Sequence, residues 1–350
     1  MRKFINNRKV KNLCNGKVFI MKALLKIFSI SLALIIIASC KGEENSSNYP
    51  SGNLDFVAPT GVNSGWDLTI RTIANVLSSS QIVKVPINVR NVAGKGGAVH
   101  LDAMQNKKGD ANTITVFSPP IIFINLNGTT TNSFRNLTPL ANLIADYGAF
   151  IVRADSKYKT INDVMDDLKR NPKSVKIGGF SAAGSMDHIQ FLIIAKAAGV
   201  DNLNQIDYTS FNENAAEQLL QGNVDLFSTS LADTMGLAER GDLKILVQTA
   251  DRRIGTGVKG QIPTCREEGI DATFVNWRGL FGAPDMPKYA FDYWTNALAK
   301  MRNTREWKDA LSKYDWEEYY LDSAEFVRFL EKSEEDYKAI MQDINMLSRF

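Results

Sequence analysis

Two histidines and three cysteines are all that 350 residues contain, and both scarcities narrow what the chain can be. No Cys/His cluster has zinc spacing, so neither a metal centre nor any other cofactor is expected. Cys14 and Cys40 fall in a leader described below, which leaves Cys265 alone in the folded part. A lone cysteine makes no internal disulfide, so the fold must rest on its core and Cys265 reads as a small buried hydrophobe. No G-x-S-x-G elbow occurs, and Gly94-Lys95-Gly96-Gly97 is followed by Ala98-Val99, not by the Lys-Ser/Thr pair of a Walker loop. Positive charge is also short once the leader is set aside. The formal net charge of +3 includes eight Lys and Arg before Cys40 with no acid among them, and without those eight it is −5. A nucleic-acid partner therefore has no electrostatic footprint. With 44% hydrophobic and 23% charged residues, 24 Gly and 10 Pro, the chain is not disordered, collagen-like or a coiled coil. Its length suits two domains of about 150 residues.

The leader has the form of an address. Ile27 to Ala38 is an unbroken run of twelve apolar or small residues after Lys22 and Lys26, too short for a spanning helix of about 20 and right for a signal-peptide core. It ends Ile37-Ala38-Ser39-Cys40, small residues before a cysteine, which resembles the bacterial lipobox and makes Cys40 the expected lipid attachment. An uncleaved anchor helix is the alternative, and Met21-Lys22 offers a second start. Residues 1–40 are then a lipoprotein signal peptide and 41–53, rich in Ser, Asn and Glu, a flexible tether.

From Leu54 onward short β-rich runs alternate with helical patterns. Strands are expected at Leu54–Ala58, Val85–Val89, Ile114–Phe117, Val175–Ile177, Asp225–Phe227 and Lys244–Val247, with helices between them. That alternation indicates βαβ units and an α/β class. If the chain crosses between domains near Ala149–Val152 and Phe274–Trp277, residues 54–148 with 274–350 form one domain and 149–273 the other. Near the C-terminus, Phe326, Phe329, Leu330, Tyr337, Ile340, Met341 and Ile344 make an apolar stripe, and Asp322 with Glu325 starts that helix as a capping box.

Two loops carry the chemistry. In Ala58-Pro59-Thr60-Gly61-Val62-Asn63-Ser64-Gly65-Trp66-Asp67 a strand gives way to a polar turn and then to a helix, which exposes backbone N–H groups where the helix dipole favours an anion. Ser64 with Asp67 also fits an ordinary capping box, and the two uses are compatible. Ile177-Gly178-Gly179 followed by Phe180-Ser181-Ala182-Ala183-Gly184-Ser185 and Met186-Asp187-His188 repeats the pattern. Two such nests facing each other across a cleft suit a carboxylate, because open α/β sheets place ligands outside the carboxyl ends of their strands. His188 reads as a helix-start hydrogen-bonding residue. A secreted hydrolase using Ser185 and His188 is the competing class, without spacing to support it.

These residues resemble, in order along nearly all of the chain after the leader, the periplasmic solute-binding receptors of tripartite tricarboxylate transporters, the Bug-type proteins. Beside the first loop, Asn91 to Gly97 is similar to the family's glycine-rich segment. Gly184-Ser185-Met186-Asp187-His188 matches G-S-x-x-H, and Leu219-Leu220-Gln221-Gly222-Asn223-Val224-Asp225 matches L-L-x-G-x-V-D. Pro263 to Gly269 followed by Asn276-Trp277-Arg278-Gly279 looks like the tricarboxylate branch. The resemblance implies a type II periplasmic-binding-protein (Venus-flytrap) fold, two doubly wound α/β domains joined by a hinge and closing on a small solute. On that basis the ligand contacts are Thr60, Gly61, Asn63, Ser64, Gly65, Trp66 and Asp67 on one jaw and Ser181, Ala182, Ala183, Gly184, Ser185 and His188 on the other. Ser118 and the Ser228-Thr229-Ser230 run, at strand ends facing the same crevice, are second-rank contacts. Asp233 would orient a water, receive a ligand hydroxyl or cap a helix, and Arg278 is a counter-charge or an inter-domain ion pair. The implied function is a non-enzymatic, monomeric, membrane-anchored receptor, periplasmic or at the cell surface. It would capture a di- or tricarboxylate such as citrate for the membrane permease subunits. A receptor for an amino acid or aromatic carboxylate, or one that feeds a sensor kinase, is the alternative.

Overall fold

In the computed structural model the described residues are 48–211, 215–232, 234 and 241–348. The leader with Cys14 and Cys40, and Asp233 of the candidate site, lie outside them. Residues Pro50–Phe350 form one compact unit.

Chain order is strictly alternating at the start. Strand β1 (Leu54–Ala58) leads to helix α1 (Gly65–Ser79), β2 (Ile87–Asn91), α2 (Ala98–Met104), β3 (Thr113–Phe117) and α3 (Pro120–Leu126). β1 lies between β2 and β3 and is parallel to both, Leu54 facing Ile87 and Asp55 facing Thr113. β1 falls where the sequence places it. β2 begins two residues later than expected, since Pro86 has no N–H for a ladder and gives its carbonyl to the Leu54 amide instead.

The strand that organises the molecule is one the sequence shows only in part. β4 runs sixteen residues, Thr138–Arg153, of which only Ala149–Val152 carries an obvious β signature. The rest contains Pro, Asn, Asp, Gly and two Ala, poor strand formers held in the sheet by partners on both edges. Its first half pairs antiparallel with β9 (Val275–Gly282), from Thr138 opposite Gly282 to Tyr147 opposite Val275, and with β10 (Glu317–Leu321). Its second half pairs with β7 (Leu226–Ser230) and β8 (Leu243–Gln248). Beyond β7 come β5 (Ile177–Gly179) and β6 (Tyr208–Ser210), parallel to one another, joined through α4 (Ile161–Arg170), α5 (Met186–Ala197) and α6 (Ala215–Leu220). Among the described residues the strand order is β2-β1-β3-β9-β4-β7-β5-β6, so a parallel βαβ set flanks the long central strands on each side.

After β9 the chain closes with α7 (Lys288–Met301), α8 (Arg305–Tyr314), β10 and α9 (Ser323–Asp343). The capping box expected at α9 is present: Asp322 accepts from the Glu325 amide at 2.9 Å and Glu325 accepts from the Asp322 amide at 3.0 Å. The stripe of α9 is buried at Phe326, Leu330, Tyr337, Ile340 and Met341, with Ile344 just beyond it. Phe326 stacks edge-on against Trp277, ring centres 5.3 Å apart, directly over Gly279, where any Cβ would overlap its ring. Cys265 is fully buried in the same core, and burial pushes its thiol up to about 12. Among the described residues no helix is long and apolar enough to cross a membrane.

Candidate functional site

Each of the two loops is shaped by an aspartate from the helix that follows it. Asp67, only 2% exposed, accepts from the Asn63 amide (2.9 Å), the Asn91 side-chain amide (2.8 Å) and Arg71 Nε (2.8 Å). Burial alone would raise its pKa, but these donors outweigh it and hold the carboxyl below its ordinary value. Asn63 takes a left-handed φ of +64°, which asparagine tolerates. Ser64 is the N-cap as expected, its Oγ accepting from the Asp67 amide at 3.4 Å, but the Asp67 carboxylate turns to Asn63 and not back to Ser64. In the second loop Asp187 accepts from the Phe180 and Ser181 amides at 2.8 and 2.9 Å, while Ser181 Oγ accepts from the Asp187 amide at 2.7 Å. The Asn63, Phe180 and Ser181 amides are thus engaged by the protein's own carboxylates. Among the described residues the Ser64 and Gly65 amides, at the head of α1, donate to no protein acceptor.

Trp66 and Ser118 meet one another: indole Nε1 donates to Ser118 Oγ at 2.9 Å, and the indole lies edge-on against Phe117. The ring passes over Gly97, where φ is +98° and a Cβ would stand 3.3 Å from it, which explains the glycine-rich turn at this point. His188 hydrogen-bonds at the helix start as expected, Nδ1 accepting from the Gly184 amide at 3.0 Å, and it stacks on Tyr208 with ring centres 4.3 Å apart. Burial lowers its pKa to about 4, so it is neutral at pH 7. With Nδ1 taken by a backbone donor, His188 has no lone pair there to activate Ser185, so the Ser185–His188 pair lacks the geometry of a nucleophile and its base.

A cavity of about 380 Å³ opens between the loops. Of the residues singled out in the sequence, Asn63, Ser64, Gly65, Thr229, Ser230 and Arg278 line it. Thr60, Gly61, Trp66, Asp67, Ser118, Ser181, Ala182, Ala183, Gly184, Ser185 and His188 stand behind the lining or elsewhere on the loops. The remaining walls are Leu68, Asp146, Tyr147, Phe180, Met186, Asp187, Gln190, Ala232, Asn276, Tyr314 and Trp316.

Arg278 is the charge at the centre of this arrangement. Its Nη1 donates to Thr69 Oγ1 (2.9 Å) and to the Gly65 carbonyl (3.2 Å), and Nη2 lies 3.9 Å from Asp146. The guanidinium carbon sits 5.7 Å from the centre of the Trp316 ring. Alternation along β9 was the available signal: Asn276 and Arg278 face the cavity while Trp277 between them is wholly buried. On the other wall Gln190 donates to Ser228 Oγ at 2.8 Å and to the Thr229 carbonyl at 3.1 Å, close over Gly148. Among the described residues no three His, Cys, Asp or Glu gather as a metal site.

Among the described residues the cavity brings together the Arg278 guanidinium, the helix-start amides of Ser64 and Gly65 and a wall of mixed polar and apolar side chains, a set of groups suited to a small anion. A family model described as "Tripartite tricarboxylate transporter family receptor" matches residues 70–346. A Cupriavidus necator protein known as the UPF0065 protein in the gbd 5′ region is 25% identical over 322 residues, 90% of this chain and 94% of the relative. Among solved structures, a TctC solute-binding protein from Polaromonas superposes with a TM-score of 0.71 at 23% identity, covering 84% of this chain and 99% of that one. A Rhodopseudomonas palustris protein solved with bound malate gives 0.66 at 17% identity, covering 83% and 99%. The fold is therefore that of the TctC-type periplasmic solute-binding proteins, and the chain belongs to the tripartite tricarboxylate transporter receptor family.

Proposed function

We propose that this receptor captures a small dicarboxylate in the cavity around Arg278 and hands it to the membrane components of a tripartite transporter. The observation that carries the reading is Arg278 facing a cavity whose rim includes the Ser64 and Gly65 amides of the α1 N-terminus. One carboxylate meets the guanidinium and these amides; the other meets the hydroxyls of Ser230 and Thr229, on the wall that Gln190 braces. The charge of the walls ranks the candidates. Arg278 is accompanied by Asp146 and Asp187, so a trianion such as citrate is complemented less well than a dianion. The malate of the Rhodopseudomonas neighbour is a dianion of the required size. Closure of the two sequence-defined domains (54–148 with 274–350, and 149–273) about β4 and β9, and lipid attachment at Cys40, belong to the same proposal.

The test is isothermal titration and thermal unfolding of the wild type and Arg278→Met with malate, succinate, adipate and citrate. Removing Arg278, the only cation lining the cavity among the described residues, should weaken dicarboxylate binding at least about tenfold, the scale of one charge-assisted pair. Equal affinity in the two proteins refutes this site. Asp146 supports a second reading, an amino acid, because its carboxylate lines the cavity at 3.9 Å from Arg278 and suits an ammonium. Aspartate or glutamate binding more tightly than malate or succinate, with the preference lost in Asp146→Asn, would select it.

A further inference from the structure

Two walls of the cavity, Tyr314 and Trp316, flank a residue that is pinned from across the molecule. Asp315 ends α8 in a left-handed conformation, φ +54°, and its carboxylate accepts a 2.5 Å bond from Lys259 Nζ. Lysine is rarely buried, yet Lys259 is 7% exposed. Its stem lies over Gly255, where a Cβ would come within 2.7 Å of Lys259 Cδ. The turn that carries it, Lys259–Gln261, is fastened to β8: Gln248 Nε2 donates to the Ile262 carbonyl at 2.8 Å and Gln248 Oε1 accepts from the Ile254 amide at 3.1 Å. Gln248 in turn faces Ala149 of β4. An anchored ammonium therefore reaches the turn between α8 and β10, and that turn presents its two aromatic side chains, ring centres 4.9 Å apart, to the cavity.

We infer that Lys259 is a positioning residue for the ligand cavity: by fixing Asp315 it holds Tyr314 and Trp316 against the space in which the ligand sits. This rests on the reading of that cavity as the ligand site. Trp316 also faces the Arg278 guanidinium, so a displaced Trp316 changes what surrounds that cation. Lys259 does not line the cavity, and its effect on binding passes through the wall. A role confined to stapling the 251–262 loop would change thermal stability and leave the cavity's affinity alone.

Hydrogen–deuterium exchange of the detergent-purified full chain, without ligand, reads the wall directly. Lys259→Met keeps the apolar stem. Asp315→Asn keeps a residue that tolerates the left-handed backbone and serves if the first variant fails to fold. Both should speed exchange over 311–321, where the Trp316 amide donates to the Leu311 carbonyl at 3.0 Å and the Asp315 amide to the Ser312 carbonyl at 3.4 Å. Malate, succinate and adipate, titrated into the same proteins, should bind roughly three- to tenfold more weakly, a coupling of modest size. The double variant should be no worse than either single one, and Lys259→Arg should restore affinity. Unchanged exchange over 311–321 overturns the inference, as does faster exchange with wild-type affinity. Failure of the wild type to bind any of the three acids refutes the dicarboxylate reading instead, and the exchange result then decides alone whether Lys259 positions the wall.

Discussion

Between pH 8 and 5 the unfolded chain takes up protons on two imidazoles that the fold holds neutral. His100 is 2% exposed and stacks on Phe117, and His188 is 6% exposed against Tyr208. Burial lowers the pKa of each to about 4; for His100 nearby Arg90 and Lys107 add to the effect against Asp55. In the unfolded chain both return to about 6.5. The unfolded state therefore binds more protons below pH 6.5, and stability that is fully present above that value is lost as the pH falls toward 4. At pH 5 an unfolded imidazole is almost wholly protonated and a folded one about a tenth, so each costs about 2 kcal/mol and the pair about 4 kcal/mol. Asp67 and Asp110, both held below the ordinary carboxylate value, begin to contribute only under about pH 4, which leaves the interval between 6.5 and 5 to the histidines. Urea unfolding at half-unit steps from pH 8 to 5 measures the slope. His100→Phe keeps the stack on Phe117, and His188→Gln offers an oxygen to the Gly184 amide; together they should flatten the curve whatever they do to its height. A wild-type loss of under about 1 kcal/mol between pH 8 and 5, or the same slope in the double variant, would refute the reasoning.

Two glycine substitutions probe the packing that positions the cavity. Gly148→Ala drives a methyl into Gln190 Oε1, so it should break the Gln190 bonds to Ser228 and Thr229 and weaken dicarboxylate binding. A titration matching the wild type would show that Gln190 is not held as described. Gly279→Ala meets the ring of Phe326, which has no room to yield between Trp277 and Phe281, and should cost about 1–3 kcal/mol in urea unfolding while ligand affinity measured on the folded fraction is kept.

Six of the ten strands among the described residues, and the helix starts between them, were legible in the sequence because their signals are local. Leu54–Ala58 is a short, mostly apolar stretch between turns, and Asp322 with Glu325 needs only three residues to cap a helix. The strand β4 was not expected: of its residues only Ala149–Val152 stood out, as a crossing between domains, since Ala, Asn, Asp and Gly become strand only when β9, β10, β7 and β8 are beside them. The candidate site divides in the same way. The loops after β1 and β5 were found, but which face of each loop meets the cavity depends on distant partners: Asn91 fixes Asp67, and Tyr208 donates to the Ser181 carbonyl at 2.7 Å. Tyr314 and Trp316 were not singled out in the sequence: they line the cavity from the turn before β10, which pairs with β4 from far along the chain.

The inward-turned aspartates separate two properties that binding sites often entangle. Asp67 and Asp187 keep the loops in shape before any ligand arrives, so gripping an anion requires little ordering of the chain. The residues that set size, polarity and flatness are elsewhere, Tyr147 on β4, Gln190 on α5, Tyr314 and Trp316 at the α8–β10 turn. On the proposed reading of the cavity, point substitutions at those four positions exchange one carboxylate for another without remaking the grip, and such a receptor diversifies its cargo one wall at a time, each intermediate still able to hold an anion.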